Sequence, residues 1–393
     1  MSRQSLQGAA GRLRWAVPMT GRDPGDEHRS ATPLELFFDL VYVVAVALAA
    51  ERLHHALAGG VVGASIFRYA VLFFAIWWAW VNFTWFVSAY DTDDVAFRVF
   101  VFVTMTGALI FAAGVPRIFD ELDFRMGVLG YAVMRLALVT QWIRVGRADT
   151  ERRTTARRFA IGVTGCQIGW IAGVLVPGLW WPAFAVLAPA EMLVPVWAEA
   201  ASPTTWNREH ISERYGLFMI IVLGESVLAA SLAIQSATRG TPFTGELLAI
   251  IVGGLLILFS MWWLYFDRPQ EQLLSSPRTA FLWSYMHLPI FAAVAAVGAG
   301  LAVAIEGVSG HSELGPRGTT AAVAVPVAVY LLSLWALYFR AGHAPVAVFA
   351  GPATAALAVG ASFAGLPVLV IGLLLVGLIV VKVGVRLRGY EGL

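Results

Sequence analysis

The segment Thr32-Pro-Leu-Glu-Leu-Phe-Phe-Asp-Leu-Val-Tyr-Val-Val-Ala-Val-Ala-Leu-Ala-Ala-Glu51 decides how the chain is read. It is an apolar run of the length a helix needs to cross a bilayer, about 20 residues. It also carries two acids, Glu35 and Asp39, close to its start. A separation of four sets both carboxylates on one helical face, one turn apart. Acids inside a membrane span are costly, and they face a protein interior or a water-filled path. Thr32-x-x-Glu35, with Pro33 at the first helical position, is a capping box that satisfies orphan amides, and this accounts for Glu35. Asp39 lies roughly 6 Å further along the axis, among Phe37, Phe38, Leu40 and Val41, and no cap explains it. An ion-paired or functional role is expected for Asp39.

The whole chain extends this pattern. Of its 393 residues, 59% are hydrophobic and 13% charged, against about 45–50% apolar and about 25% charged in soluble domains. The fold class is therefore an all-α polytopic membrane bundle. Fifteen Trp and ten Tyr suit interfacial belts. The single Cys166 excludes an intrachain disulfide and a cysteine-based metal cluster. A net charge of +2 gives no reason to expect a nucleic-acid partner. Ala47-Leu-Ala49 resembles a signal cleavage site, but the acids before it do not suit an h-region, so a retained first span is expected.

Windows of about 20 apolar residues mark twelve candidate spans: roughly 33–54, 66–88, 97–114, 125–145, 158–176, 179–198, 213–234, 246–266, 280–304, 319–339, 345–364 and 366–385. Ten or eleven is the alternative count, because only Gly365 and small residues separate the last two. The expected organisation is a basic tail 1–32, a membrane half 33–198, a linker 199–212, a second half 213–385 and a tail 386–393. Basic residues set orientation. With the N-terminus inside, twenty are cytoplasmic: Arg3, Arg12, Arg14, Arg22, Arg29, Arg98, Arg144, Arg147, Arg152, Arg153, Arg157, Arg158, Arg208, Arg214, Arg268, Arg278, Arg340, Lys382, Arg386 and Arg388. Six are outside: Arg52, Arg68, Arg117, Arg125, Arg239 and Arg317. Both termini are expected in the cytoplasm. Trp77-Trp78-Ala-Trp80 with Tyr90-Asp91 is echoed by Trp262-Trp263-Leu-Tyr265-Phe266-Asp267. Two parallel six-helix repeats would produce this echo, and so would recurring aromatic belts.

The seventh span holds Glu225, expected near mid-membrane, beside Gly224, which would let a neighbouring helix approach closely. A buried carboxylate there is protonated or paired. Arg135 is the one basic residue these windows leave deep in the membrane, and it is the expected partner of Glu225. Glu191 stands between Pro189 and Pro195, which favour a bent or interrupted helix. His287, followed by Pro289, titrates near neutral pH if solvated; a hydrogen-bonded core histidine is the alternative. Four acids, Glu35, Asp39, Glu191 and Glu225, face one fixed base, so some should be neutral, hydrated or ion-bound, as in proton relays and cation sites. Asn82, Gln141 and Gln167 serve as neutral ligands or as interhelical hydrogen bonds. The acids of 91–94 and 120–123 read as solvated loop faces, and the basic loop 144–158 as a dock for a partner or anionic lipid.

No Lys-bearing phosphate loop, zincin motif or nucleophile elbow is found, and Gly224-Glu225-Ser226 lacks the Gly-x-Ser-x-Gly frame. The adjacent His54 and His55 point in different directions on a helix. No cofactor, no metal and no enzyme activity are expected. A membrane enzyme using paired acids on a lipid-linked substrate is the remote alternative. The expected partners are membrane lipids and a small solute or ion.

Two stretches carry a family resemblance. Thr32–Val43 resembles the Thr-Pro-x-Glu-Leu-Phe-Phe-Asp-Leu-Val-Phe/Tyr-Val opening of the bacterial low temperature requirement A family. Arg214–Ser226 is similar to its second signature, an Arg-Phe/Tyr-Gly start followed by Ile/Leu-Gly-Glu-Ser. The resemblance covers most of the chain and implies a bacterial plasma-membrane protein with a similar number of spans. It is associated by name with growth at low temperature, and no established transport or enzyme chemistry comes with it. Glu35, Asp39, Gly224 and Glu225 match by type; Arg135 and His287 rest on the charge argument. The leading expectation is a transporter or permease, with Asp39 and Glu225 exchanging protons or binding a cation and Arg135 tuning them or holding an anionic substrate. The second is a sensor or assembly protein whose buried charges are structural.

Overall fold

The computed structural model describes residues 14–23, 29–238, 243–338 and 345–387, the side chains of 345–347 excepted. Arg3, Arg12, Arg239, Arg340 and Arg388, used above for orientation, lie outside the described residues, as do parts of both tails. Among the described residues there are twelve α-helices and no strand. They are α1 (Pro33–Ala58), α2 (Gly63–Tyr90), α3 (Val95–Glu121), α4 (Arg125–Ala148), α5 (Arg153–Leu175) and α6 (Trp180–Glu199). The rest are α7 (Arg208–Thr238), α8 (Gly245–Phe266), α9 (Pro277–Val308), α10 (Pro316–Tyr338), α11 (Pro345–Gly360) and α12 (Pro367–Leu387).

Eleven of these are long and apolar enough to cross a membrane. The exception is α11, whose 16 residues extend about 24 Å at about 1.5 Å each, short of the roughly 30 Å hydrocarbon layer. A 3₁₀ turn, Ala361–Phe363, takes up the rest of the span expected at 345–364. Proline stands first in α1, α9, α10, α11 and α12, where its missing N–H would have been unpaired anyway. Ser276 and Thr279 form a reciprocal capping box on α9, and the Thr244 hydroxyl caps α8.

The helices are apolar on both faces. On α4 the inner stripe is Tyr131, Met134, Leu138 and Trp142, while Leu129, Leu136 and Ile143 are exposed at intervals of seven. On α5 the outward stripe is Ile161, Ile168 and Leu175. A soluble helix would place polar residues on that outer face; here it suits lipid.

The chain forms two compact units. The first comprises 1–38, 82–111 and 124–211, and the second 39–81, 112–123 and 212–393, so both cut across the sequence halves 33–198 and 213–385. In the first unit α5 packs between α4 and α6. There α3 meets α4 backbone to backbone, since a Cβ added to Gly107 would lie 2.7 Å from the Gly130 carbonyl. Gly162 and Gly169 of α5 likewise seat Val194 and Leu187 of α6. In the second unit α9 is buried along most of its length. It touches α10 at Gly300, where a Cβ would come within 2.1 Å of the Ala322 carbonyl. α8 touches α12 at Gly253, 2.6 Å from the Val368 carbonyl by the same measure.

Gly224 does not have the packing role expected of it. A Cβ there would meet nothing within 4 Å. The close approach of α7 lies two residues on, at Ser226, and the glycine that permits it is Gly298 of α9. The Ser226 hydroxyl donates to the Val294 carbonyl at 3.0 Å.

Alanine is the better helix former by about 1 kcal/mol, so packing and propensity pull in opposite directions at these glycines. Gly300→Ala and Gly253→Ala are expected to destabilise the protein by about 1–3 kcal/mol through overpacking. Gly224→Ala should be neutral or slightly stabilising. Unfolding midpoints of the three purified variants in detergent distinguish these outcomes.

Candidate functional site

Asp39 is fully buried in α1. Its Oδ1 accepts hydrogen bonds from Arg214 Nη2 of α7 at 2.5 Å and from Trp80 Nε1 of α2 at 2.7 Å. The Trp80 ring is stacked on Phe218, 4.4 Å between centroids, and stands edge-on to Tyr215 and Phe291. Guanidinium and indole N–H thus converge on one carboxylate oxygen inside an aromatic wall. Charge-assisted bonds of this kind are short and strong in a low-dielectric interior.

Arg214, counted above with the cytoplasmic basic residues, is buried and paired with Asp39. α7 begins at Arg208, ahead of the apolar window that starts at 213, and Arg214 lies in its second turn with no exposed surface. Hydropathy windows discount a polar first turn. With Arg214 buried, the count of four acids against one base fails as well.

Glu35 forms the expected capping box. The Thr32 hydroxyl accepts from the Glu35 N–H at 3.3 Å, and Glu35 Oε1 accepts from the Thr32 N–H at 3.4 Å. Its second oxygen lies 2.8 Å from His210 Nε2. His210 is buried in the first turn of α7, where its own N–H donates to Asn207 Oδ1 at 3.0 Å. The sequence reading missed His210. A signal was available, since His210 and Arg214 repeat the spacing of four between Glu35 and Asp39.

Arg135 is paired with Glu191, in place of the expected Glu225. Nη2 of Arg135 on α4 donates to Glu191 Oε2 on α6, and Trp170 Nε1 on α5 donates to Glu191 Oε1 at 3.0 Å. The guanidinium also lies 5.0 Å from the Tyr131 ring centre. Pro189 and Pro195 stand inside α6 on either side of Glu191. The pairing follows from the contiguous α4–α5–α6 packing, which hydropathy does not encode.

Glu225 differs from these three acids. It lies near the middle of α7, half-buried, and among the described residues it makes no ion pair. The charge acting on it comes from Glu51 of α1. His287, fully buried in α9, donates from Nδ1 to the Trp283 carbonyl at 2.7 Å. Rings of Trp283, Tyr215, Phe291 and Tyr265 surround it at 4.2, 4.9, 5.3 and 5.8 Å. Among the described residues it makes no ion pair, and its surroundings are those of a hydrogen-bonded core histidine.

The reading of 91–94 as a solvated face is corrected. Asp94 is 2% exposed. It accepts from the N–H groups of Phe97 and Val17 at 2.7 and 3.0 Å and from Arg144 Nη2 at 2.6 Å. Burial pushes its carboxyl up, but those two amides and Arg144 outweigh it and hold it below the usual carboxylate range. Asp91 goes the other way. Burial and then the Glu35 charge raise it, despite Arg29 and Arg22 at 3.8 and 3.5 Å. Much of the basic loop is also engaged within the chain: Arg144 with Asp94, Arg152 with Asp149 and Glu151, and Arg158 with the Trp197 carbonyl.

The family model described as "Bacterial low temperature requirement A protein (LtrA)" matches residues 30–384. The chain is similar to an uncharacterized protein of Rhizobium meliloti (strain 1021), 30% identical in an alignment 285 residues long that covers 67% of each chain.

Removing one member of a buried ion pair strands the other, at a cost of about 3–5 kcal/mol, whereas replacing both by apolar residues is close to neutral. Asp39→Ala and Arg214→Ala should each lower the unfolding midpoint strongly, and Asp39→Leu with Arg214→Met should restore most of the loss. A double-mutant cycle of thermal unfolding measures this. At Asp94, Asn preserves a helix cap and removes the charge facing Arg144. A folded-state pKa below the unfolded value means the stabilisation is present above the unfolded pKa and is lost as pH falls through the folded one. Asp94→Asn should therefore cost about 1.5–3 kcal/mol at neutral pH, and the gap from wild type should close in acid. Unfolding midpoints across a pH series check both points.

Proposed function

The chain belongs to the bacterial low temperature requirement A family and is a multi-pass membrane protein, and from this premise we propose a transporter or permease coupled to protons or a monovalent cation. One observation carries the reading. Glu35, Asp39 and Glu191 each face a basic side chain, whereas Glu225, midway along an apolar helix, makes no ion pair among the described residues. Gly224, the preceding residue, meets no other helix within 4 Å of where a Cβ would stand. A carboxylate in such a place is neutral when it carries a proton and requires water or a cation when it does not. That difference is what couples ion binding to a change of conformation.

In this reading Glu225 is the exchanging group, and Asp39–Arg214 is a positioning pair that holds α1, α2 and α7 of the second unit in register. The location is the bacterial plasma membrane with both termini cytoplasmic, supported by the basic bias, which survives the withdrawal of Arg214. Partners are lipids and a small solute or ion. A second reading, a non-transporting sensor or assembly protein, is favoured by the two buried ion pairs and the Glu35–His210 hydrogen bond, which are sufficient as packing devices.

The test uses proteoliposomes under an imposed pH gradient and membrane potential. Wild type should carry proton or monovalent-cation flux, and Glu225→Gln should reduce it at least about tenfold, equivalent to about 1.4 kcal/mol of barrier, with its unfolding midpoint unchanged. Absent flux in wild type, or undiminished flux in folded Glu225→Gln, defeats the proposal and leaves the packing reading.

A further inference from the structure

The α4–α5–α6 interior of the first unit holds polar groups that the Arg135–Glu191 pair does not use. Gln167 lies on the buried face of α5, one turn before Trp170, and is 8% exposed. Neither its amide oxygen nor its amide nitrogen has a hydrogen-bond partner among the described residues, and the same is true of Arg135 Nε. Cys166, the preceding residue, is buried, and it lies between Gly162 and Gly169, which seat Val194 and Leu187 on either side of Glu191 in α6. Trp170 closes the other side through its bond to Glu191.

Orphaned polar groups are expensive in an apolar interior. The unused set comprises one N–H on Arg135 and, on Gln167, two N–H bonds and one carbonyl. The charges already cancel. An added anion would be repelled by Glu191 and an added cation by Arg135, so the complementary guest is neutral and carries both a donor and an acceptor. We propose that Arg135, Glu191, Gln167 and Trp170 form an internal site for a small uncharged hydrogen-bonding molecule, water or a small amide. This site lies in the first unit and does not depend on the role given to Glu225 in the second.

Cys166 is the one cysteine of the chain, so the full-length protein carries its own reporter. In detergent and in proteoliposomes, a small neutral methanethiosulfonate reagent should modify Cys166 in the folded protein, because thiol chemistry proceeds through the thiolate and the thiolate requires a polar, hydrated surrounding. Gln167→Leu should slow that reaction at least about tenfold, a barrier change of about 1.4 kcal/mol. Gln167→Met preserves side-chain length and serves if the leucine variant does not fold. Saturable protection of wild type by acetamide identifies an amide guest. Dependence on Gln167 without protection identifies water. The proposal is overturned if Cys166 is inert in the folded protein and reacts only after unfolding, or if it reacts at the same rate in the folded Gln167 variants and in acetamide.

Discussion

A carboxylate placed in hydrocarbon has to be neutralised, and at Asp39 this is done by Arg214 and the indole N–H of Trp80. Desolvating both ions is costly, and mutual attraction offsets that cost only when geometry is good and the remaining bonds are satisfied. Both conditions constrain the second unit. Trp80 has to present its N–H while its ring stays packed on Phe218, which in turn meets Phe291. Tyr215, the neighbour of Arg214, packs on Trp283 and donates to or accepts from the Ser284 hydroxyl at 2.5 Å. The aromatic core of α2, α7 and α9 is thus organised around one ion pair.

The first unit answers the same requirement in two other ways. Glu35 divides its oxygens between a helix cap and His210. Glu191 divides its own between Arg135 and Trp170, within helices that glycine allows to pack closely. In each case the carboxylate has two oxygens and each finds a different donor. Glu225 stands outside this pattern among the described residues, and for that reason it, rather than Asp39, carries the functional proposal.

Several features were legible in the chain as written. Thr32-x-x-Glu35 after a proline-marked start predicted a cap that is present, and Asp39 stood out because no local rule explained it. Other residues misled. Arg214 counts with the cytoplasmic basic residues because it stands at the very start of the 213–234 window, and nothing local to it shows that it is buried against Asp39. Asp94 looked solvated because its donors, Val17 and Arg144, come from distant parts of the chain. Gly224 invited a close crossing that occurs at Gly298 instead, since a glycine in sequence does not reveal which helix lies across from it.

What the sequence determined by itself was local and compositional: helical spans, their approximate ends, proline and threonine caps, and the presence of acids in apolar surroundings. These depend on hydrogen bonds within a few residues and on transfer of side chains from water, both of which are set by neighbours in the chain. Tertiary structure decided which base meets which acid. Arg135 could have served any buried carboxylate by charge; packing of α4, α5 and α6 gave it to Glu191, 56 residues away. An ion pair in low dielectric acts over a few ångströms, so its partners are chosen by the fold that brings them together; the matched spacing of four in Glu35/Asp39 and His210/Arg214 hints at one such choice, and no spacing records that of Arg135.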